Sequence, residues 1–175
     1  TMEEQPVDEQ EIWAVLETAL RGACEQFVES RIREGENLKL DLIEKLDGML
    51  TDVAAIEKRS PEILQAYRTK LTEKVKELLS DTQLEESRIA TEVILYADKI
   101  CTDEETVRLH SHIESMKQTL QTGGSIGRKL DFIAQEMNRE ANTILSKAND
   151  LETSNLAIDL KTEIEKVREQ IQNIE

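Results

Sequence analysis

The sequence predicts an all-α protein: an elongated antiparallel helical bundle with about six helical segments, the first unusually long. The chain of 175 residues is 3% aromatic and 34% charged, with six glycines and two prolines. This composition is typical of helix-rich proteins rather than of β-sheet or disordered chains. Apolar residues recur every three or four positions along most of the chain, as in amphipathic helices. Capping and turn signals divide the pattern into segments that are expected to pack antiparallel.

The first segment begins near Asp8, the expected N-cap, with Glu11 completing a capping box. It is either one very long helix or two helices joined near Gly35. Residues 1–8 are expected to be a loose acidic leader, and residues 9–175 a single helical domain. The apolar stripe of the first segment consists of Ile12, Leu16, Ala19 or Leu20, Ala23, Phe27, Leu38, Leu42, Met49, Val53 and Ile56.

A stop signal, the sequence RSPE at 59–62, is expected to end the first helix. Pro61 is well tolerated at the first position of a helix, so a second helix is predicted over about 61–80. A third helix is predicted to begin at Asp81 or Thr82 and to continue to about residue 100.

Three further helices complete the predicted bundle. Thr102 is the expected N-cap of the fourth, with Glu105 as its capping-box partner. The glycine-rich QTGGSIG at 121–127 lacks the lysine and spacing of a phosphate-binding loop, so it is interpreted as a helix connection. The fifth helix is predicted over 127–147, and the sixth covers the final segment.

Several features of the sequence predict a cytoplasmic protein. No apolar run approaches the roughly 20 residues that cross a bilayer, and no secretory signal opens the chain. Cys24 and Cys101 are too few for a disulfide framework and lack zinc-ligand spacing, so both are expected to be buried thiols.

The net charge of −15 argues against a general affinity for nucleic acids, because the overall field repels a polyanion. Any interaction with RNA therefore requires local cations, a metal ion, or a basic region elsewhere.

The helix predicted over 127–147 carries an unusual polar stripe beside its apolar core stripe. Solvation alone does not explain its amides, because Glu and Lys fill an exposed helix face more favourably. The stripe is either a functional site or a set of amides that hold one helix to another. Its members within an arc of about 60° are Asp131, Gln135, Asn138 and Asn142, with Arg128 and Arg139 at the edge.

A second polar stripe contains Glu105, Arg108 and His112. A surface ion pair between Glu105 and Arg108 explains part of it. His110 and His112 point about 160° apart on a helix and cannot share one metal ion.

Glu136 and Glu140 stand one helical turn apart, where their like charges repel unless a cation lies between them. Lys129 and Lys147 are one possible source of that cation. A divalent ion such as Mg²⁺ or Mn²⁺ is the alternative, and spacing does not decide between the two.

Four sequence blocks resemble the C-terminal half of the YicC/YloC family of bacterial proteins. They are RIREGENLKLDL at 31–42, DEETVRLHSH at 103–112, GRKLDFIAQEMNREANTILSK at 127–147 and DLKTEIEKVREQIQNIE at 159–175. The family pattern includes Arg31, Glu34, Gly35, Glu104, Glu105, Arg108, His112, Arg128, Asp131, Gln135, Glu136, Asn138, Arg139, Glu140, Asn142 and Lys147.

The resemblance implies a bacterial cytoplasmic endoribonuclease that uses a divalent metal (Mn²⁺ or Mg²⁺) and forms a homo-oligomer, expected to be a hexamer. The family's N-terminal half is not expected in this chain. Two alternatives stay open: a helical assembly module, and an RNA-binding regulator that does not cleave. The site predicted on this basis has His112, Glu136 and Glu140 as catalytic residues and Glu136 and Glu140 as metal ligands. Its RNA-binding residues are Arg108, Arg128, Arg139 and Lys147, and its site-shaping residues are Asp131, Gln135, Asn138 and Asn142.

Overall fold

The computed structural model of the protein describes residues 8–78 and 86–174, and every regular element in these ranges is an α-helix. The all-α prediction is therefore confirmed. The described residues contain five helices, one fewer than predicted. They are α1 (Glu9–Leu78), α2 (Glu86–Ile100), α3 (Asp103–Thr122), α4 (Gly127–Lys147) and α5 (Leu151–Ile171).

The helix count differs because α1 does not end at the RSPE sequence. Pro61 lies inside α1, and the helix continues to Leu78. A proline within a helix removes one backbone hydrogen bond and disfavours helical geometry in the residue before it. Arg59 and Glu62 form an ion pair across this point, with 2.7 Å between Nη1 and Oε2. Gly35 also lies within α1, so of the two predicted arrangements of the first segment the single long helix is observed.

The chain divides into two compact units, Thr1–Asp41 and Leu42–Glu175. In the first unit, Asp8 caps α1, because its Oδ1 accepts hydrogen bonds from the backbone N–H of Gln10 and Glu11. This confirms the predicted N-cap. Most large apolar side chains in the described part of this unit are exposed rather than buried, among them Ile12, Trp13, Leu16, Leu20 and Phe27.

The second unit is a four-helix bundle formed by α3, α4, α5 and the part of α1 that follows Asp41. Salt bridges show that neighbouring helices run antiparallel. In α1 and α3, Asp47 pairs with Lys117 and Glu57 with His110. The core is apolar and consists of Leu42, Leu46, Met49, Val53 and Ile56 of α1, Leu109, Ile113, Met116 and Leu120 of α3, Leu130, Ile133, Met137 and Ile144 of α4, and Leu160, Ile164, Val167 and Ile171 of α5.

The start of α5 is attached to α1 just before Pro61. Asp150 caps α5 by accepting hydrogen bonds from the backbone N–H of Glu152 and Thr153. Arg59 lies 3.6 Å from the Asp150 carboxylate and 3.2 Å from that of Glu152. Burial alone raises the pKa of Asp150, but its hydrogen bonds from Thr153 and the charge of Arg59 outweigh burial and hold the pKa below its usual value.

The connection between α3 and α4 lies where the glycine-rich sequence predicts it. Gly123 and Gly124 have φ angles of 67° and 84°, which glycine adopts without strain, and they link α3 to α4 as predicted.

The Tyr67 ring of α1 stacks on the Tyr96 ring of α2 at 3.7 Å.

Four predictions about the ends and side chains of the helices need correction or are not covered. Thr102 makes no side-chain capping hydrogen bond, because its φ of −117° and ψ of 10° are not the extended conformation of a capping residue. The Glu105 carboxylate, its predicted partner, is bound to Arg108 and Lys147. Cys24 is exposed and Cys101 half-buried, so the prediction of two buried thiols is wrong. Residues 1–7 of the predicted leader and the predicted helix start at Asp81 or Thr82 lie outside the described residues.

None of the described helices combines the length and the apolar character that a bilayer-spanning helix needs.

The proline in α1 yields a prediction for stability. Pro61 is exposed, so Pro61→Ala removes the helix-breaking ring without leaving a cavity. We expect the free energy of unfolding to rise by about 1–3 kcal/mol, measured by urea denaturation with circular dichroism. Gln65→Ala, one turn further along, is the control and should change it by less than about 0.5 kcal/mol. A decrease for Pro61→Ala would show that α1 requires the proline.

Candidate functional site

Helices α3 and α4 are joined by a group of charged side chains that we call the α3–α4 charged cluster: Glu104, Glu105 and Arg108 of α3, with Glu140 and Lys147 of α4. Arg108 Nε lies 2.9 Å from Glu140 Oε1. Its terminal nitrogens lie 3.2 Å from Glu104 and 3.2 Å from Glu105. Lys147 Nζ lies 3.0 Å from both oxygens of Glu105. Two cations thus bind three carboxylates across the helix pair.

Burial makes this pairing important for stability. The side chains of Glu105 and Glu140 are 6% and 8% exposed, whereas Arg108 is 44% exposed. A nearly buried carboxylate is costly unless a cation and hydrogen bonds compensate for lost hydration. The hydrogen bond to Glu140 is the main cause of the raised pKa of Arg108, against a smaller opposing effect of burial. The planar guanidinium suits this role because it can face several carboxylates at once.

Lys147 also connects the cluster to the junction between α2 and α3. Its Nζ donates a hydrogen bond to the Cys101 carbonyl oxygen at 2.8 Å. Lys147 is the last residue of α4, where the helix dipole favours a positive charge. The structure therefore places Arg108 and Lys147, two residues predicted to contact RNA, in contacts within the protein.

The two carboxylates predicted as metal ligands lie in different environments. Glu140 is bound to Arg108, whereas Glu136 is half-buried and forms no ion pair or hydrogen bond with another described side chain. Within residues 8–78 and 86–174, no three His, Cys, Asp or Glu side chains are placed so that they could hold a metal ion. These residues therefore do not fit a divalent ion by themselves.

His112 and Glu136 lie at the same level of the α3–α4 pair. The contacts Arg108–Glu140 and Glu105–Lys147 show that the two helices are antiparallel. His112 follows Arg108 by four residues, about one turn of α3. Glu136 precedes Glu140 by four residues, about one turn of α4. Because the helices are antiparallel, His112 and Glu136 are displaced from the Arg108–Glu140 bridge in the same direction and by the same distance. Both side chains are half-buried and have no partner among the described side chains.

The other histidine of α3 points elsewhere. His110 Nε2 lies 3.6 Å from Glu57 Oε1 of α1. The two histidines thus serve different helix interfaces, in agreement with their predicted separation around the helix.

The amide stripe of α4 is divided between contacts with α5 and solvent. Asp131 accepts hydrogen bonds from Arg168 of α5 at 3.1 Å and from Gln135 at 2.7 Å. Asn138 donates to Glu165 of α5 at 2.9 Å. The bond from Asn138 to Glu165 corresponds to the alternative in which amides hold one helix to another.

The remaining residues of the stripe lie in different surroundings. Arg128 and Asp131 line an open groove where α4 begins and α5 ends, with Ser125, Gly127, Ile171, Gln172 and Ile174. Arg139 and Asn142 are exposed. Phe132 is also exposed on this side, and sequence reasoning missed it although its spacing of four residues from Arg128 places it there.

A family model described as the C-terminal part of YicC-like endoribonucleases matches residues 56–175. The chain belongs to the YicC-like endoribonuclease family. This confirms the resemblance seen in the four sequence blocks. The match begins in the part of α1 that joins the four-helix bundle and includes all of α2 to α5.

Two YicC relatives show how much of the protein this chain represents. It is 45% identical over 175 residues to the probable endoribonuclease YicC of Clostridioides difficile, an alignment that covers 99% of this chain and 60% of that protein. It is 36% identical over 174 residues to the probable endoribonuclease YicC of Haemophilus influenzae, with the same two coverages. The chain thus spans about three fifths of the length of the curated YicC relatives that it matches.

The α3–α4 charged cluster of this YicC-like chain predicts a marked effect of Lys147→Met. The substitution keeps most of the side chain's bulk but leaves the nearly buried Glu105 with Arg108 as its remaining cation. We expect the free energy of unfolding to fall by about 1.5–3 kcal/mol, measured by urea denaturation. Lys161→Met in α5 is the control, because Lys161 forms no ion pair with a described residue. Equal effects of the two substitutions would contradict a stabilising role of the cluster.

Proposed function

We propose that this chain is the helical C-terminal part of a bacterial cytoplasmic endoribonuclease that cleaves RNA phosphodiester bonds, with His112 and Glu136 as its proton-transferring pair. Both relatives are named probable endoribonucleases, which supports the reaction class. The structural observation that carries the assignment is the position of His112 and Glu136. They lie at one level of α3 and α4, half-buried and uncommitted, beside the fixed Arg108–Glu140 bridge.

The chemistry of RNA cleavage requires groups of these types. A base removes a proton from the attacking oxygen, and an acid gives one to the leaving 5′ oxygen. Imidazole and carboxylate side chains are the groups that most often perform such transfers in enzymes. The Arg108–Glu140 bridge holds α3 and α4 together one turn from His112 and Glu136, which keeps these two side chains at one level.

RNA contact is assigned to the arginines that the fold leaves uncommitted. Arg128 and Arg139 are exposed and form no ion pair within the described ranges. They are separated by eleven residues along α4, or about 16 Å. We assign Arg108 and Lys147 to holding α3 and α4 together, since their charges are neutralised by nearby carboxylates.

The divalent metal implied by the resemblance remains a prediction. Glu140 is committed to Arg108, so Glu136 is the carboxylate available to a metal ion among those first predicted. Complete coordination of a divalent ion would need oxygen ligands in addition to Glu136.

The acid–base assignment predicts a large loss of catalysis in the full-length protein. His112→Asn and Glu136→Gln should each lower the cleavage rate of a labelled RNA at least about 100-fold, with little change in RNA affinity. His110→Asn is the matched control, because His110 contacts Glu57 on another helix interface, and it should cleave at close to the normal rate.

Two outcomes distinguish the alternatives. If His112→Asn and Glu136→Gln cleave RNA normally, the pair is not catalytic. If wild-type protein binds RNA but yields no products, with or without added Mn²⁺, the protein is a regulator that does not cleave. Loss of wild-type cleavage in EDTA and its recovery with Mn²⁺ would support the predicted metal requirement.

A role in assembly is a second candidate, supported by the unit Thr1–Asp41. Its described helical part exposes apolar side chains that would ordinarily be buried, and most of them share one side of the helix. Ile12, Leu16, Leu20 and Phe27 follow the spacing of an amphipathic stripe. We propose that this stripe contributes to a homo-oligomer, for which the resemblance implies a hexamer.

The assembly role predicts that Leu16→Glu with Leu20→Glu lowers the molar mass of the full-length protein in light scattering after gel filtration. Charges in an apolar contact would strongly oppose association. Ala14→Glu with Thr18→Glu is the matched control, because it adds the same charge and spacing on the opposite side of the helix. An unchanged mass in the leucine variant would exclude this stripe from the oligomer interface.

A further inference from the structure

The outward side of α4 carries a continuous exposed strip of side chains. Its members recur every three or four residues within an arc of about 80°. All are exposed, and they extend over about 27 Å of helix. We call this strip the α4 outer face and define it as Arg128, Phe132, Gln135, Arg139, Asn142 and Ser146.

The charge of this face differs from that of the chain as a whole. The protein has a net charge of −15, yet the α4 outer face contains two arginines and no carboxylate. On the sides of the bundle next to this face, Arg108 is bound to Glu140 and Arg168 to Asp131. The members of the face therefore carry a formal charge of +2, with amide and hydroxyl groups between the arginines. Asp131 borders the face near Arg128 and is paired with Arg168, and Glu136 borders it one turn from Arg139.

Phe132 is the apolar residue of this face, and packing does not explain it. Its side chain is 63% exposed. It lies about 140° around the helix from the buried stripe that includes Leu130, Met137 and Ile144. The bundle core is complete without it, so an exposed aromatic ring stands between two free arginines.

We propose that the α4 outer face binds single-stranded RNA, with Phe132 stacking on an unpaired base and Arg128 and Arg139 contacting phosphates on either side. This inference rests on the proposed endoribonuclease function and specifies its substrate class. Aromatic side chains bind bases by stacking, and arginines bind phosphate oxygens. A base in a duplex has its faces covered by neighbouring bases, whereas an unpaired base can offer a face to Phe132.

Charge complementarity selects RNA over a protein partner as the occupant of this face. The two unpaired arginines of this face, with no carboxylate among its members, attract a polyanion. A protein partner is the alternative that the experiment below distinguishes. The alternation of a planar ring with guanidinium groups matches the alternation of bases and phosphates along a single strand.

The test uses the full-length protein and two labelled RNAs, one a single strand and the other the same sequence in a perfect duplex. Phe132→Leu keeps an apolar side chain but removes the ring, so single-strand affinity should fall about tenfold or more while duplex affinity is unchanged. Phe132→Trp keeps an aromatic ring and should bind the single strand about as tightly as the wild-type protein does. Ile158→Ala removes an exposed apolar group of α5 and is the control.

Arg139→Gln tests the phosphate contact separately. It should weaken the binding of single strands and duplexes, and reduce the slope of log affinity against log salt by about 0.7 for the single strand. Arg68→Gln is its control, since Arg68 is exposed on α1 and has no ion pair with a described residue.

The possible failures are distinguishable. If wild-type protein binds neither RNA, the proposed function fails together with this inference. If Arg139→Gln weakens binding but Phe132→Leu does not, RNA binding stands and the stacking role is overturned. If Phe132→Leu lowers the molar mass of the protein and leaves RNA affinity unchanged, the face is a protein interface and the inference is overturned.

Discussion

The bridge between Arg108 and Glu140 is the contact on which the arrangement of the candidate site depends. Apolar packing brings α3 and α4 together, but the hydrophobic effect is non-directional and does not by itself pair one charged residue with another. A nearly buried carboxylate does not tolerate a shift along the helix axes, since moving away from its cation would leave an uncompensated charge. The bridge therefore fixes the register of α3 against α4. That register sets Lys147 beside Glu105 and places His112 level with Glu136.

The sequence was sufficient for the helices and for most of the bundle core, because these depend on local periodicity. Leu109, Ile113 and Met116 recur at helical spacing, and all are buried. The end of the first helix was mispredicted because a local rule was applied to Pro61. That rule gives the cost of a proline within a helix but not the contacts that outweigh it, such as those of Arg59 with the start of α5.

The partners of the charged residues were harder to predict than the helices themselves. Spacing within one helix suggested that Lys147 could neutralise Glu140, yet Lys147 binds Glu105 and Glu140 binds Arg108. These choices depend on the register between helices, which no spacing within a single helix contains. The same limit applies to Asn138, whose partner Glu165 is 27 residues away in the chain. The two alternatives for the amide stripe could therefore be stated but not decided from sequence.

The surface of α4 shows how a strongly acidic chain can retain a side that accepts a polyanion. Around this one helix, the core stripe binds the bundle, Glu140 and Lys147 face α3, and Asp131 and Asn138 face α5. Each of these sides uses its charges within the protein, where short distances make pairing strong. The fourth side is the α4 outer face, which is exposed to water and contains two arginines and no carboxylate. Because charges separated by more than about 8–10 Å are largely screened at physiological salt, a polyanion close to this side experiences the nearby arginines more strongly than the distant net charge.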